Sequence, residues 1–340
     1  MVLGALLWTA LSPLGLLVAG IIDLVRRRRL ATLRLWAFVG AYFWGEVLGL
    51  LGLGFAFIAS GFGLSPSRLE ANAYAAQDAW VGALWRITCR LYDLKLELEL
   101  PPKLKKGPFI VLVRHTSLLD TMIPTMYLAR RYGLRLRYVL KRELVWDPCL
   151  DVGGHWMPNH WVDRSGTSRK RELSALRALC SNLDPHMGVL LYPEGTRFSN
   201  VRRKEALARL ASRDKELHGL AMRCHHTLPP RPSGTLAVLN GAANADILVC
   251  KHAGLLGLGS FKDLWDGTLV GQKIHVRVDR ISRKDVPREP EKMVRWLFDT
   301  WASVDAWVST REESPHRRRP PTSSLPTIER RHSSAITLRD

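Results

Sequence analysis

Two short segments combine residue types that proton transfer and phosphate binding use. In the first, the apolar run 109–113 leads into Arg114-His115-Thr116-Ser117-Leu118-Leu119-Asp120. An imidazole held by a carboxylate at one ring nitrogen has a fixed tautomer, and its other nitrogen can accept a proton. His115 is therefore a candidate general base and Asp120 its orienting acid. Because His-x4-Asp also arises by chance, a structural histidine near a helix start is the alternative.

The second segment follows the apolar run 187–192 and reads Pro193-Glu194-Gly195-Thr196-Arg197. Glycine permits close approach of the backbone to a ligand, and threonine and arginine side chains bind phosphate oxygens. We therefore predict a substrate-binding turn in which Gly195, Thr196 and Arg197 hold phosphate. Glu194 belongs to the same group, where it shapes the turn and orients Arg197. A turn that carries an arginine by chance is the alternative.

The elements that must position these segments alternate along the chain. Apolar runs and one period-two stretch predict strands at 95–100, 108–113, 134–140, 187–192, 246–250 and 273–279. Helical patterns lie at 70–92, 118–131, 167–182, 202–218 and 287–308. This alternation predicts an α/β fold with a mixed or largely parallel sheet flanked by helices. Ligand groups gather at the carboxyl ends of such strands, which is where both segments lie.

Together, the two segments resemble those of the lysophospholipid acyltransferase family. Further blocks agree in order: 141–144 with 161–164, then 228–234, and then 264–278. This order of blocks makes the resemblance specific, and it covers roughly residues 70–290. One position departs from the family pattern, since Arg114 stands where asparagine is usual. This cation next to His115 is expected either to lower the basicity of the imidazole or to help hold an anionic substrate.

The resemblance implies a reaction and a role for each residue. His115 would take the proton from the free hydroxyl of a lysophospholipid, and Asp120 would orient the imidazole. The hydroxyl oxygen would attack the thioester of acyl-CoA or acyl carrier protein, which is a co-substrate, so that neither a cofactor nor a metal is expected. Arg197 would hold the acceptor's phosphate, with Arg164 and Lys141 as further substrate-binding candidates. The expected acceptor is 1-acylglycerol 3-phosphate; lysocardiolipin or lysophosphatidylinositol is the alternative.

The N-terminal segment is apolar. Residues 1–22 carry no charge, four arginines follow at 26–29, and Glu46 is the single charged residue of 35–67. Both stretches are long enough to cross a bilayer. Two spans would place the arginine linker in the cytosol and the remaining chain opposite. We favour a re-entrant helical hairpin embedded from the cytosolic side, with Pro13, Glu46 and the glycines of 45–63 making its path less regular.

The composition divides the chain into three parts: a membrane-embedded hairpin (1–67), an acyltransferase domain (68–310) and a disordered basic tail (311–340). The net charge of +19 is +3 in the first part and +3 in the last, which leaves +13 in the domain. Such a charge suits anionic lipid head groups and acyl-CoA. No nucleic-acid motif accompanies it, so nucleic acid is not an expected partner.

Two further alternatives follow from the sequence. A non-catalytic basic protein bound to membranes would share the composition, but it would not need His115, Asp120 and Arg197. A metal site at His225, His226 and His252 is disfavoured, because no cysteine or carboxylate spacing supports it. The five cysteines lie far apart without a C-x-x-C pair, which predicts reduced thiols in a domain that faces the cytosol.

Overall fold

In the computed structural model, the described residues are 1–104, 106–162, 168–256 and 261–312, with the backbone alone at Phe261. Their seven strands form one sheet in the spatial order β1-β7-β6-β2-β5-β3-β4. The strands are β1 (Lys95–Glu99), β2 (Phe109–Val113), β3 (Arg135–Lys141), β4 (His160–Val162), β5 (Met187–Leu191), β6 (Asp246–Ala253) and β7 (Lys273–Ile281). Neighbouring strands are parallel except for the antiparallel pair β6 and β7. The predicted mixed sheet is confirmed.

Helices connect and cover the strands. They are α1 (Val2–Arg26), α2 (Ala31–Ala59), α3 (Pro66–Leu91), α4 (Met122–Pro124), α5 (Arg130–Tyr132), α6 (Pro148–Trp156), α7 (Arg169–Leu179), α8 (Asn200–Ala211), α9 (Lys215–Ala221), α10 (Pro232–Gly241), α11 (Phe261–Trp265) and α12 (Pro290–Ser309). A 3-10 turn (Leu119–Thr121) and a π-helical turn (Thr125–Ala129) join α4 and α5 into one irregular helix, where the sequence predicted a regular one.

The helix predicted at 202–218 is two helices in the structure. Asp214 lies between α8 and α9, and its side chain accepts a hydrogen bond from the backbone N–H of Leu217. An aspartate in this position is a favourable helix N-cap, so it starts a new helix rather than continuing the old one. The apolar periodicity of the two short helices does not reveal this break.

The core has one layer on each face of the sheet. On one face, α7, α10 and α12 bury a cluster that includes Leu176, Val238 and Trp301 against β2, β5 and β6. On the other face, Trp85 of α3 and Ile123 of the irregular helix lie in a second buried cluster with residues of β2, β3 and β5. Both faces of the central strands are therefore apolar, which explains the continuous apolar sequence of β2.

The two N-terminal helices form a hairpin. Trp8 of α1 stacks on Trp36 of α2, with ring centroids 5.6 Å apart. The carboxylate of Asp23 accepts hydrogen bonds from the backbone N–H groups of Thr32 and Leu33, and thereby caps the start of α2. The expected irregular path is wrong: α1 continues through Pro13 as one helix.

Helix α2 lies along the domain over most of its length. Near its start, Arg34 donates a hydrogen bond to the carbonyl oxygen of Leu91. In its middle, Tyr42 donates to Asp147, 2.9 Å away. Near its end, the ring of Phe57 stacks on Trp156. Both ends of α2 therefore contact the domain that carries the sheet. By length and composition α1 and α2 could each cross a membrane.

The sheet register brings three polar residues to the same level. Leu112 of β2 is aligned with Leu191 of β5 and with Val249 of β6. Three residues after these partners come His115, Glu194 and His252. Because the three strands are parallel, these residues meet at the carboxyl edge of the sheet.

Candidate active site

His115 and Asp120 form a hydrogen-bonded pair at this edge. Asp120 lies in the 3-10 turn after β2, and its Oδ1 atom is 3.0 Å from Nδ1 of His115. Its other oxygen accepts hydrogen bonds from the backbone N–H groups of Thr116, at 2.5 Å, and Ser117, at 2.7 Å. The loop thus folds back so that five residues of chain bring the carboxylate to the imidazole. With Nδ1 bound to Asp120, Nε2 is the ring nitrogen that a substrate can reach.

The surroundings keep Asp120 ionised although it is fully buried. Burial by itself would raise the pKa of its carboxyl group, but the hydrogen bond and charge of His115, together with His252, hold the pKa below its usual value. An ionised carboxylate orients the imidazole and stabilises the positive charge that forms when Nε2 takes a proton. The side chain of His115 is 13% exposed, so a substrate can contact it.

His252 lies on the buried side of the His115–Asp120 pair. Its Nε2 donates a hydrogen bond to the carbonyl oxygen of Arg114, 2.8 Å away, and lies 3.7 Å from Oδ2 of Asp120. Burial, assisted by the nearby charge of Arg114, lowers the pKa of His252 to about 4 although Asp120 opposes this. His252 is therefore neutral near pH 7. Sequence analysis had placed it in a disfavoured metal site; within the described residues no group of three metal-binding side chains occurs.

The turn that follows β5 is attached directly to His115. The backbone N–H of His115 donates to Oε1 of Glu194, at 3.0 Å, and the carbonyl oxygen of His115 accepts from the N–H of Phe198, at 2.8 Å. The structure therefore brings together the two segments that the sequence singled out. The imidazole of His115 also contacts the ring of Tyr192, with ring centroids 4.4 Å apart.

Glu194 lies beneath this turn. It is 1% exposed, and its Oε2 atom accepts a hydrogen bond from the backbone N–H of Leu228 at 2.9 Å. Since both carboxylate oxygens bind backbone N–H groups, Glu194 joins the turns after β2 and β5 to the loop before α10. This burial argues against the predicted contact with substrate and agrees with the predicted role in shaping the turn.

Gly195 is required by the shape of the turn. Its φ of +70° is one that side chains disfavour, and a Cβ atom there would lie 2.9 Å from Cδ of Arg231. Arg231 is itself held by the hydrogen bond from its backbone N–H to the carbonyl oxygen of Pro193, at 2.8 Å. The side chain of Arg231 therefore packs over the predicted phosphate-binding turn, a contact that the sequence analysis did not foresee.

The remaining predicted substrate ligands lie at the same edge or outside the described residues. Thr196 and Arg197 are half-buried in the turn, and the carbonyl oxygen of Arg197 accepts a hydrogen bond from Arg202 at 3.0 Å. Lys141 is the last residue of β3, which is parallel to β5, so it reaches this edge. Arg164 lies outside the described residues, as do residues 313–340 of the predicted tail.

The predicted role of Arg114 in holding an anionic substrate is wrong. Its side chain is fully buried and donates hydrogen bonds to Glu312 and to the carbonyl oxygens of His226 and His252. The side chain of His115, by contrast, is 13% exposed. Arg114 lies under the site, where no substrate reaches it.

Tyr192 is a second residue that sequence analysis missed. It follows the last residue of β5, and its position at a carboxyl strand end is the one signal that could have identified it. Burial raises the pKa of the Tyr192 phenol well above its usual value, and the charge of Asp120 raises it further. The phenol therefore remains protonated next to the imidazole.

Comparison with known proteins agrees with this geometry. An Acyltransferase family model matches residues 95–238, which contain His115, Asp120 and the turn at 194–197. The chain is also 30% identical over 231 residues to mouse (Mus musculus) 1-acyl-sn-glycerol-3-phosphate acyltransferase epsilon. The chain is therefore similar to acyltransferases over the segment that carries the candidate site. The alignment covers 64% of this chain and 61% of the mouse protein, so the match spans about three fifths of that relative's length.

The fold of this chain is similar to that of a solved structure. The 1-acyl-sn-glycerophosphate acyltransferase PlsC of Thermotoga maritima superimposes with a TM-score of 0.53. The superposition covers 85% of this chain and 98% of PlsC, at 13% sequence identity. At this identity the likeness shows a common fold and nothing about substrate.

Proposed function

We propose that this chain transfers a fatty acyl group from acyl-CoA or acyl carrier protein to the free hydroxyl of a lysophospholipid. The proposed acceptor is 1-acylglycerol 3-phosphate, and the product is phosphatidic acid. One observation carries this proposal: a His115–Asp120 pair, partly open to solvent, is hydrogen-bonded through its backbone to the turn with Gly195, Thr196 and Arg197. A general base and an anion-binding turn side by side suit an acceptor that carries both a hydroxyl and a phosphate.

The mechanism follows from the orientation of His115. Nε2 takes the proton of the acceptor hydroxyl while the oxygen attacks the thioester carbonyl, and Asp120 stabilises the imidazolium that forms. The tetrahedral intermediate then expels the thiolate, which takes the proton from Nε2. An ester has formed, the thioester bond has broken, and His115 is neutral again. No acyl-enzyme intermediate forms in this mechanism, and holding the two substrates together supplies much of the rate enhancement.

The acceptor's phosphate would bind at the turn after β5. Arg197 offers a guanidinium that can form two parallel hydrogen bonds with phosphate oxygens, and the backbone around Gly195 allows close approach. Lys141 ends β3 at the same edge, and Arg164 is a further candidate. A remodelling acyltransferase would differ there: lysocardiolipin carries a second phosphate that needs further cations, and lysophosphatidylinositol carries an inositol that needs hydrogen-bonding groups.

The proposed enzyme works at a membrane and faces the cytosol. Helix α1 exposes large apolar side chains along its length, including Leu7, Leu14 and Leu17. Contiguous exposed apolar surface of this kind indicates a lipid or protein interface. Because α2 contacts the domain at both of its ends, we favour a hairpin lying in the interface of one leaflet, as an amphipathic anchor does, over two separate spans.

An acyl-transfer assay tests the proposal. The full chain in mixed micelles is given acyl-CoA of several lengths, or acyl carrier protein, with a panel of lysophospholipids. We expect transfer to 1-acylglycerol 3-phosphate to be fastest, and His115→Ala to abolish it while the far-UV circular dichroism spectrum is unchanged. Full activity in a folded His115→Ala variant would overturn the mechanism. Faster transfer to lysocardiolipin would replace the proposed acceptor.

A further inference from the structure

The guanidinium of Arg114 joins three segments directly beneath the candidate site. Nη1 donates to the carbonyl oxygen of His252 on β6, at 2.6 Å, and Nη2 donates to the carbonyl oxygen of His226, at 2.8 Å. Nη1 also lies 2.8 Å from Oε1 of Glu312. The side chains of Arg114 and Glu312 are 0% and 2% exposed, so this ion pair is shielded from solvent.

Glu312 comes from far along the chain. It follows α12 and lies 74 residues beyond residue 238, where the match to the family model ends. Helix α12 is itself fixed to the same region, since Oδ1 of Asp305 accepts hydrogen bonds from the backbone N–H groups of His226 and Thr227. The loop at 226–228 is thus held by Arg114, by Asp305 and, through Leu228, by Glu194.

Arg114 precedes His115 in the chain, so whatever fixes Arg114 fixes the start of the catalytic loop. The backbone N–H of Arg114 donates to the carbonyl oxygen of Cys250, at 3.2 Å, and its own carbonyl oxygen accepts from His252. A buried arginine without a counter-ion would be costly and would disfavour protonation of the neighbouring imidazole. The carboxylate of Glu312 is this counter-ion, and it reduces both the cost of burying Arg114 and the effect of its charge on the imidazole of His115.

We propose that Glu312 is a positioning residue of the active site. Through the buried ion pair with Arg114 it fixes the backbone at His115 and cancels the arginine's charge, which allows His115 to accept a proton during acyl transfer. Glu312, which follows α12, is therefore part of the catalytic unit, although it lies outside residues 95–238 that match the family model.

The charged and titratable groups around His115 come from the segment after β2, the turn after β5 and strand β6. Asp120 binds its ring, Tyr192 contacts its ring, and Glu194 accepts from its backbone. His252 lies behind Asp120, and Arg114 precedes His115. Glu312 is also close to His226, whose Nδ1 lies 3.8 Å from Oε2. The experiments described next replace Glu312 and Arg114 and leave the other groups unchanged.

The test rests on the proposed function and uses pH–rate profiles of kcat/KM. In Glu312→Gln the charge of Arg114 is uncompensated, which stabilises the neutral imidazole. We expect the acid limb of the profile to move to lower pH by about 0.5 to 1 unit. The kcat should fall about tenfold with acceptor KM changed less than about twofold, because loop geometry and proton acceptance are affected rather than binding.

Two further variants separate this role from general damage. Glu312→Asp keeps the charge, so its acid limb should stay in place even where the melting temperature falls. In Arg114→Asn/Glu312→Gln both charges are gone, and the acid limb should return to the wild-type position. Asp299→Asn, which breaks an exposed ion pair of α12 with Arg223, is the control and should change neither kcat nor the profile. An unshifted acid limb in Glu312→Gln would overturn the proposal.

Hydrogen exchange gives a readout that does not depend on turnover. In Glu312→Gln the backbone amides of residues 114–121 should exchange faster, while those of β1 at the sheet edge keep their wild-type rate. If no acyl transfer is found with any acceptor, the proposed function fails and this measurement alone decides the role of Glu312. Unchanged exchange at 114–121 would then overturn it.

Discussion

His115 is held from several sides, and each contact fixes a different property. Asp120 sets the tautomer, Glu194 and Phe198 hold the backbone, and the ring of Tyr192 limits rotation of the imidazole. A catalytic side chain needs this degree of support, because small displacements of a reacting group reduce rates strongly. The side chains of the candidate site are therefore already organised without substrate.

Arg197 is expected to act on acceptor binding alone. In Arg197→Ala the KM for the phosphate-bearing acceptor should rise roughly 10- to 100-fold, since a charge-assisted hydrogen bond is lost. The KM for the acyl donor should change little. Steady-state kinetics with each substrate varied separately measure both values.

Arg209→Ala, on the exposed side of α8, is the matched control and should leave both KM values unchanged. A rise in the donor KM alone would show that Arg197 binds the donor.

Glu194 is expected to make stability depend on pH. Burial raises its pKa from 4.5 to about 8, although hydrogen bonds from Leu228 and His115 oppose this. Folding therefore takes up a proton between these values, and the contribution of Glu194 is complete below about pH 4.5 and is lost as pH rises through 8. From pH 5 to pH 8 the wild type should lose about 2 to 3 kcal/mol of unfolding free energy relative to Glu194→Gln.

Urea unfolding at several pH values measures this difference. The Glu194→Gln variant should be less stable than the wild type at low pH, because the amide that replaces the carboxyl group cannot accept both backbone hydrogen bonds. A pH-independent difference between the two proteins would show that Glu194 is ionised throughout the range.

Among the elements of the fold, the turn after β5 depends on a backbone conformation that glycine favours. Gly195→Ala should destabilise the protein by about 1 to 2 kcal/mol and lower kcat/KM, because φ is +70° and Arg231 occupies the space of the added methyl group. Thermal unfolding and acceptor kinetics measure the two effects.

Gly219 of α9 provides the matched control. A Cβ atom at this residue would meet nothing within 4 Å, and the helix interior favours alanine. Gly219→Ala should leave kcat/KM unchanged and stabilise the protein by up to about 1 kcal/mol. Equal losses in both variants would mean that the turn has no special requirement.

For the molecule as a whole, the apolar hairpin and the basic domain would cooperate at a membrane surface. Leu14 of α1 is 62% exposed, and replacing it by a charged residue opposes its transfer into lipid. In Leu14→Lys the binding to anionic vesicles should weaken at least about tenfold. Vesicle co-sedimentation measures the change.

Val201→Lys adds the same charge at a residue of α8 that is 66% exposed, and it should bind vesicles at least as well as the wild type. Equal loss in both variants would mean that α1 does not contact lipid.

Much of the fold was accessible from the sequence because its strands are short and strongly apolar. The predicted strands at 108–113 and 187–192 agree with β2 and β5 within one residue at each end. The break at Asp214 and the irregular helix after Asp120 were missed, since local capping and π-turn geometry leave the apolar periodicity almost unchanged. The helix at 148–156 was missed as well, because it is short.

The chemistry of the candidate site is encoded locally in the amino-acid sequence. The residue types and their order after β2 and β5 identified His115, Asp120 and the turn at 194–197, because local motifs place a side chain at a strand end without long-range information. The contacts of Arg114 and Glu194 depend instead on long-range packing. Their partners lie at 312 and 228, and only the packing of α12 and of the loop before α10 brings these segments beneath His115.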